Sequence, residues 1–281
     1  MRHITLLLAL LCTAAGYAQP ATDSSGAFVL GTVRKIHSAV LGENRILNIY
    51  LPAGYGHNDT ARYPVIYLLD GSADEDFIHI AGLVQFNSLP WVYRLPETIV
   101  VGIANADRKR DFTYPSTVPD ELKRFPTTGG STRFTNYLEK EVVPYVEANF
   151  RTGKTRTIIG QSLGGLLCTE ILFTCPELFD NYIIISPSLW WDNGSLLARS
   201  PRILEAGYAK PTKIYIGVGK EGLGPSSTPH VMEVDANLLA EKLKNGKSKA
   251  VTTYFDYLPT ENHATITHHA VTNAIETLWK P

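Results

Sequence analysis

Ser162 stands in Gly160-Gln161-Ser162-Leu163-Gly164, directly after the apolar run 157–159 and directly before an apolar, helix-like stretch. A serine on so sharp a strand-to-helix turn has strained backbone angles. The residues two before and two after it approach too closely for side chains, so both are glycine. The turn lifts the hydroxyl off the sheet and aims helix N-terminal N–H groups at any charge developing beside it. The chemistry this suits is nucleophilic attack on a carbonyl. A neutral hydroxyl is a poor nucleophile, so a base within hydrogen-bond reach and an acid to orient that base are required, in the chain order serine, acid, histidine. Only His230, His263, His268 and His269 follow the serine. His263, in LPTENHA between the last strand and the last helix, is the expected base. His230 precedes a helix and reads as a cap or surface residue, and His268 and His269 fall inside a helix. The expected acid is Glu221, in the turn GKEG just past the strand 213–218. Asp256, Glu261 and Asp235 are its competitors, and a bare Ser–His pair is a further alternative. Two convergent N–H groups complete such a site, one from Leu163 and one from Ser72 in the turn after 64–69.

These groups converge only if the elements beneath them form one sheet. The runs 64–69 (PVIYLL), 98–103 (TIVVGI), 155–159, 182–185 (YIII) and 213–218 (KIYIGV) are short and apolar, segments of helical length separate them, and 251–257 reads as a last strand. Near-continuous apolar strands alternating with helices predict a mainly parallel sheet with helices on both faces. The runs 28–36 and 45–51 alternate more, which predicts an antiparallel N-terminal edge. Helices are expected at 75–89, 133–149, 163–173, 231–244 and 264–278. In 133–149, Phe134, Leu138, Val142, Tyr145 and Val146 recur at helical steps, and Pro144 bends or divides the element. In 231–244, Val231, Val234, Leu238 and Leu239 mark one apolar side. The polar stretch 105–131, broken by Pro115, Pro119, Pro126 and Gly129-Gly130, reads as a long loop bordering the cleft.

The chain has 281 residues, 44% hydrophobic and 19% charged, with a formal net charge of −1. That is room for one α/β domain over 27–281, with no basic excess for nucleic acid or an anionic membrane surface. Arg2-His3, the apolar run 4–11 and Gly16-Tyr17-Ala18 form the pattern of a secretory leader cleaved after Ala18. The run is shorter than the ~20 residues that span a bilayer. The mature protein is therefore expected in a periplasm or outside the cell, without a membrane span, after a flexible lead-in over 19–26. Cys168 and Cys175, seven apart on one expected helix, stand ~10 Å apart, too far for a disulfide, and read as small buried hydrophobes. No cysteine–histidine spacing suggests zinc, and no metal or organic cofactor is expected.

Several segments carry a family likeness: YLLDG at 67–71, NADRKRDFT at 105–113, GQSLGG at 160–165, SPSLWW at 186–191 and Glu261-Asn262-His263. With the leader, they make the chain resemble the esterase D-like family of α/β-hydrolases, particularly the branch that hydrolyses catecholate siderophore esters. The resemblance covers nearly all of the mature chain. It implies an α/β-hydrolase fold and cofactor-free hydrolysis of carboxylic esters, with Ser162 as nucleophile, His263 as base and Glu221 as the usual acid. It leaves several small-molecule or oligosaccharide esters as substrates: siderophore, feruloyl, acetyl-sugar or S-formylglutathione esters. The last is cytosolic and at odds with a leader. By the same likeness 105–112 lines the cleft, where Arg108 or Arg110 meets an anionic or phenolate-bearing substrate. Trp190 and Trp191 follow the strand 182–185 at the same sheet edge, one packing inward and the other offering an aromatic wall. The rival from another class is a non-catalytic module that uses the same fold to bind carbohydrate or protein. It requires that His263 not reach Ser162.

Overall fold

A computed structural model of the chain describes residues 25–57 and 60–279. The leader expected at 1–18, and residues 19–24 of the lead-in, lie outside the described residues. Among the described residues eight strands form one sheet in the order β1-β2-β4-β3-β5-β6-β7-β8. They are β1 Thr32–Ser38, β2 Glu43–Tyr50, β3 Tyr63–Leu68, β4 Ile99–Ile103, β5 Thr152–Gln161, β6 Asn181–Ile185, β7 Thr212–Gly219 and β8 Val251–Leu258. β2 runs antiparallel to both β1 and β4, and every other pairing is parallel. The mainly parallel sheet with an antiparallel N-terminal edge is thus present. β4 and β6 are buried along their whole length, as the apolar runs 99–103 and 182–185 require, and the Asn181 amide that opens β6 donates to Thr157 Oγ1. β1 is the exposed edge and carries Arg34 and Lys35, charges that discourage further strand pairing. It starts at Thr32, later than expected, because Phe28 and Val29 stand in solvent without a partner strand.

Successive residues of each strand feed opposite faces. Ile158, Tyr182 and Ile184 join the core on one side, and Ile159, Ile183 and Ile185 join the core on the other. The second face is covered by α1 (Phe77–Asn87) and α9 (Ile266–Leu278). The first is covered by α4 (Ser131–Tyr137), α5 (Val143–Asn149), α6 (Leu163–Thr174), α7 (Trp191–Ala198) and α8 (Met232–Lys244). A π-helical turn, Leu138–Val142, separates α4 from α5. Pro144 sits in the first turn of α5, where its missing N–H and ring would disrupt a continuous α-helical ladder. The chain order reverses across β3, with β4 on one side and β5 on the other. Such a switch point opens a crevice at the strands' C-terminal ends.

Two expectations are corrected. The apolar side assigned to 231–244 is not the packed one: Val231, Val234 and Leu238 are exposed, and Met232, Asp235, Ala236, Leu239, Ala240 and Leu243 are buried. The small alanines let the helix lie close on the sheet, and Asp235 is buried with a partner, His230, 2.9 Å away. The stretch 105–131 is not a structureless loop either. It holds α2 (Arg108–Phe112) and α3 (Pro119–Arg124), and Asp111, Phe112, Thr113, Tyr114 and Glu121 within it are buried. Asp107 caps α2 by accepting the Arg110 N–H, and Pro119 opens α3, both strong local start signals. Cys168 is buried and Cys175 half-buried, both as free thiols. No helix among the described residues is long and apolar enough to cross a membrane.

Candidate active site

Ser162 links β5 to α6 at φ 61° and ψ −119°, a conformation essentially foreign to residues with side chains. The glycines make it possible. A Cβ on Gly160 would lie 2.4 Å from the Gly164 carbonyl oxygen, and one on Gly165 would lie 2.9 Å from that of Ile185. The Ser162 N–H donates to the Ile185 carbonyl of the neighbouring strand at 3.0 Å, and the Ser162 carbonyl accepts from Leu166 and Ser188. The Leu163 N–H opens the helix, where no intrahelical acceptor exists for it.

The structure brings His263 and Glu221 to this serine. His263 Nε2 lies 3.0 Å from Ser162 Oγ, and His263 Nδ1 lies 2.5 Å from Glu221 Oε2. A carboxylate only accepts, so Nδ1 carries the proton and Nε2 is left to accept from the serine hydroxyl. The His263 side chain is about half exposed, whereas that of Glu221 is almost fully enclosed. Burial pushes the Glu221 carboxyl up, but hydrogen bonds from His263 and Ser186 outweigh it and hold the group below its ordinary value. Each turn is also tied to its neighbour. Gln161 Nε2 donates to the His263 carbonyl at 2.9 Å, and the Lys220 N–H donates to the Glu261 carbonyl at 2.8 Å. A Cβ on Gly219 would meet that carbonyl oxygen at 2.8 Å, so a glycine there lets the two loops touch. The competing acids are engaged elsewhere: Asp256 with Tyr215 and Asn273, Glu261 with His269, Asp235 with His230. A histidine unable to reach the serine, which the non-catalytic alternative needs, is not what is found.

The turn after β3 lies beside the elbow. The Leu69 N–H donates to the Ile159 carbonyl at 3.0 Å, and a Cβ on Gly164 would be 3.3 Å from Asp70 Oδ2. Asp70 has φ 53° and is 8% exposed. It is clasped by Arg108, whose Nε and NH2 reach its two oxygens at 2.6 and 2.9 Å, while the same NH2 reaches the Gln161 carbonyl at 3.2 Å. Asn105 adds a third hydrogen bond to Asp70 at 2.7 Å. Arg108 therefore bridges the Ser72 turn to the elbow and does not line the cavity beside Ser162. Arg110 is a clearer correction: all three of its guanidinium nitrogens bond Asp111 or Glu43. That cluster includes the buried Arg45 and fixes β2 to α2.

The cavity at Ser162 has a volume of about 200 Å³ and is walled by Ser188, Trp190, Leu223, Gly224, Pro225 and Met232 together with the three residues above. Trp190 supplies an aromatic wall. Trp191 does not: it is fully buried and donates its indole N–H to the Tyr114 carbonyl at 2.8 Å. The 105–131 segment backs this wall, with Phe125 packed on both tryptophans and Arg124 bonded to the Pro225 carbonyl.

Several contributors escaped the sequence reading. Ser186, fully buried at φ 42°, donates to Glu221 Oε1, and Ser188 Oγ lies 3.4 Å from Ser162 Oγ. Both belong to SPSLWW, where serines beside the tryptophans are the available signal. Glu233 accepts the N–H groups of Glu221 (2.8 Å) and Gly222 (3.0 Å) and closes the neck of the loop carrying the acid. A glutamate in the first turn of a helix is too common to signal this.

Comparison with known proteins agrees with the geometry. The Putative esterase family pattern matches residues 38–262. The ferri-bacillibactin esterase BesA of Bacillus subtilis is 29% identical over 273 residues, covering 92% of this chain and 93% of that protein. The crystal structure of an IroE-like serine hydrolase from Shewanella oneidensis aligns with a TM-score of 0.78 at 32% identity, over 89% of this chain and 80% of that one. The BES protein from Bacillus cereus aligns with a TM-score of 0.78 at 28% identity, over 94% and 100%. The sheet, its covering helices and these neighbours define an α/β-hydrolase fold. Because the family pattern spans most of its length, this chain belongs to the Putative esterase family, whose members and relatives support ester hydrolysis as its activity.

Proposed function

We propose that the protein is an exported serine carboxylic-ester hydrolase that works through an acyl-enzyme at Ser162, without a metal or organic cofactor. One observation carries this: Glu221, His263 and Ser162 stand in an unbroken hydrogen-bonded line of 2.5 and 3.0 Å, ending at a hydroxyl on a strained elbow. His263 Nε2 takes the Ser162 proton as Oγ attacks the ester carbonyl, and Glu221 stabilises the imidazolium that forms. The Leu163 and Ser72 N–H groups hold the oxyanion. The tetrahedral adduct collapses, His263 gives its proton to the leaving alcohol, and the acyl group remains on Oγ. Water, deprotonated by the same imidazole, then attacks the acyl carbonyl and releases the acid and free Ser162.

The related BesA is named for a siderophore ester, and Trp190 beside the nucleophile suits aromatic groups. The substrate class is accordingly a siderophore-type or other aromatic acyl ester, acted on in the periplasm or outside the cell where the leader would deliver the protein. A panel of linear and cyclic catechol–serine esters, methyl ferulate and an acetylated xylo-oligosaccharide ranks these. Replacing Ser162→Ala should lower turnover of p-nitrophenyl butyrate by about 10³-fold or more with the fold intact by circular dichroism. Full turnover by that variant would refute the mechanism.

A further inference from the structure

Among the described residues no lysine or arginine lines the cavity beside Ser162. Its wall is Trp190, Leu223, Gly224, Pro225 and Met232, and the charge-bearing groups that line it are those of the triad, Glu221 and His263. The arginines placed by sequence to greet an anion are turned to other work: Arg108 is held bidentate by Asp70, and Arg110 by Asp111 and Glu43. Arg124 bonds the Pro225 carbonyl and Lys109 stands over the Phe125 ring, and neither lines the cavity. A carboxylate entering this space would exchange part of its water for apolar walls, meet no lysine or arginine lining them and face Glu221. The volume of about 200 Å³ is on the scale of an apolar cavity that takes a single benzene, ~150 Å³. Gly224 keeps that space open against the indole, since a Cβ there would come within 2.7 Å of Trp190 Cδ1.

We infer that this cavity selects an uncharged, apolar substituent of the ester and rejects the anionic counterpart of the same shape, the selection residing in the Trp190–Leu223–Met232 wall. The inference rests on the serine-esterase reading above and adds the charge of the substrate that the site accepts.

The test uses the full-length protein and two matched pairs of ring-sized esters. Methyl benzoate against monomethyl terephthalate places the charge on the acyl side; benzyl acetate against 4-(acetoxymethyl)benzoate places it on the alcohol side. The neutral member should be favoured about 100-fold in kcat/KM on at least one side. A preference below tenfold on both sides overturns the inference. Leu223, 69% exposed, accepts a lysine without disturbing the core. In Leu223→Lys the neutral-over-anionic ratio should fall at least fivefold on the side that discriminates, and an unchanged ratio overturns the assignment to this wall. Ser162→Ala, run in parallel, reports separately on the underlying reading: persistent turnover there refutes the serine mechanism whatever the ratios are.

Discussion

Ser162 lies between two walls of opposite construction. On one side, the turn after β3 is cross-linked by charge: Asp70 accepts from Arg108 twice and from Asn105 once, and Arg108 continues to the Gln161 carbonyl. On the other, Trp190 after β6, Met232 at the start of α8, and Leu223 and Pro225 on a loop held at its neck by Glu233 and by the bridge between Leu223 and Val231 present apolar surface. The difference follows from what each must do. An N–H aimed at a developing oxyanion is effective only if fixed before the reaction, which a polar network between backbone segments achieves. A surface that sorts substrates works by removing them from water and needs shape more than charge. The polar wall should therefore govern kcat and the apolar wall KM and selectivity.

Substitutions on each side can break that division. Arg108→Met keeps an unbranched apolar stem but removes the guanidinium that lies over the Phe112 ring and clasps Asp70 and the elbow carbonyl. It should lower kcat by about 10- to 100-fold with KM changed by less than about threefold. A loss confined to KM in steady-state kinetics would place Arg108 in substrate binding instead. Leu223→Ser, across the cleft, should raise KM for an aromatic ester about three- to tenfold and leave kcat within about twofold, as expected for losing part of a leucine's burial. A kcat effect equal to that of Arg108→Met would erase the contrast. The smallest effect concerns stability. Asp76, behind the polar wall, is pushed up from 3.8 to about 6, first by burial and then by the charges of Asp70 and Glu75. Between those values the folded protein holds a proton that the unfolded chain releases, so stability falls as pH rises through that window and stays lower above it. Asp76→Asn should remove that slope and raise stability at pH 7 by about 1–2 kcal/mol, a figure reduced for partial solvation, as read by urea unfolding at pH 4 and pH 7. An unchanged slope would place the titration elsewhere.

The sheet and the hydrogen-bonded line Ser162–His263–Glu221 were legible for a shared reason: each is written in local sequence. Apolar strands buried on both faces have no polar residue to hide them, and G-x-S-x-G carries its own steric explanation. Glu221 and His263 each sit just past the C-terminal end of a strand, so strand prediction placed both above one edge. What was lost depends on the third dimension. The face of α8 was misread because burial there follows alanines and a paired Asp235 rather than the largest side chains. The helices of segment 105–131 are only five and six residues long, too short for periodicity to register in sequence. Arg108 and Arg110 were assigned to substrate because a charge run does not reveal that Asp70, 38 residues away, and Glu43, 67 residues away, already hold it. Glu233 holds the Glu221 loop with no local motif to announce it, and the only signal for Ser186 is its place in SPSLWW.

The central claim, an acyl-enzyme at Ser162, is tested most directly by mixing the protein with a p-nitrophenyl ester, quenching in acid within the first turnover and mapping the acyl mass by peptide mass spectrometry. The account requires the acyl group on the peptide containing Ser162, at close to one per molecule when deacylation is slow, with a matching burst of p-nitrophenol. Turnover without an acylated Ser162, or the acyl group on neighbouring Ser188 instead, would contradict it.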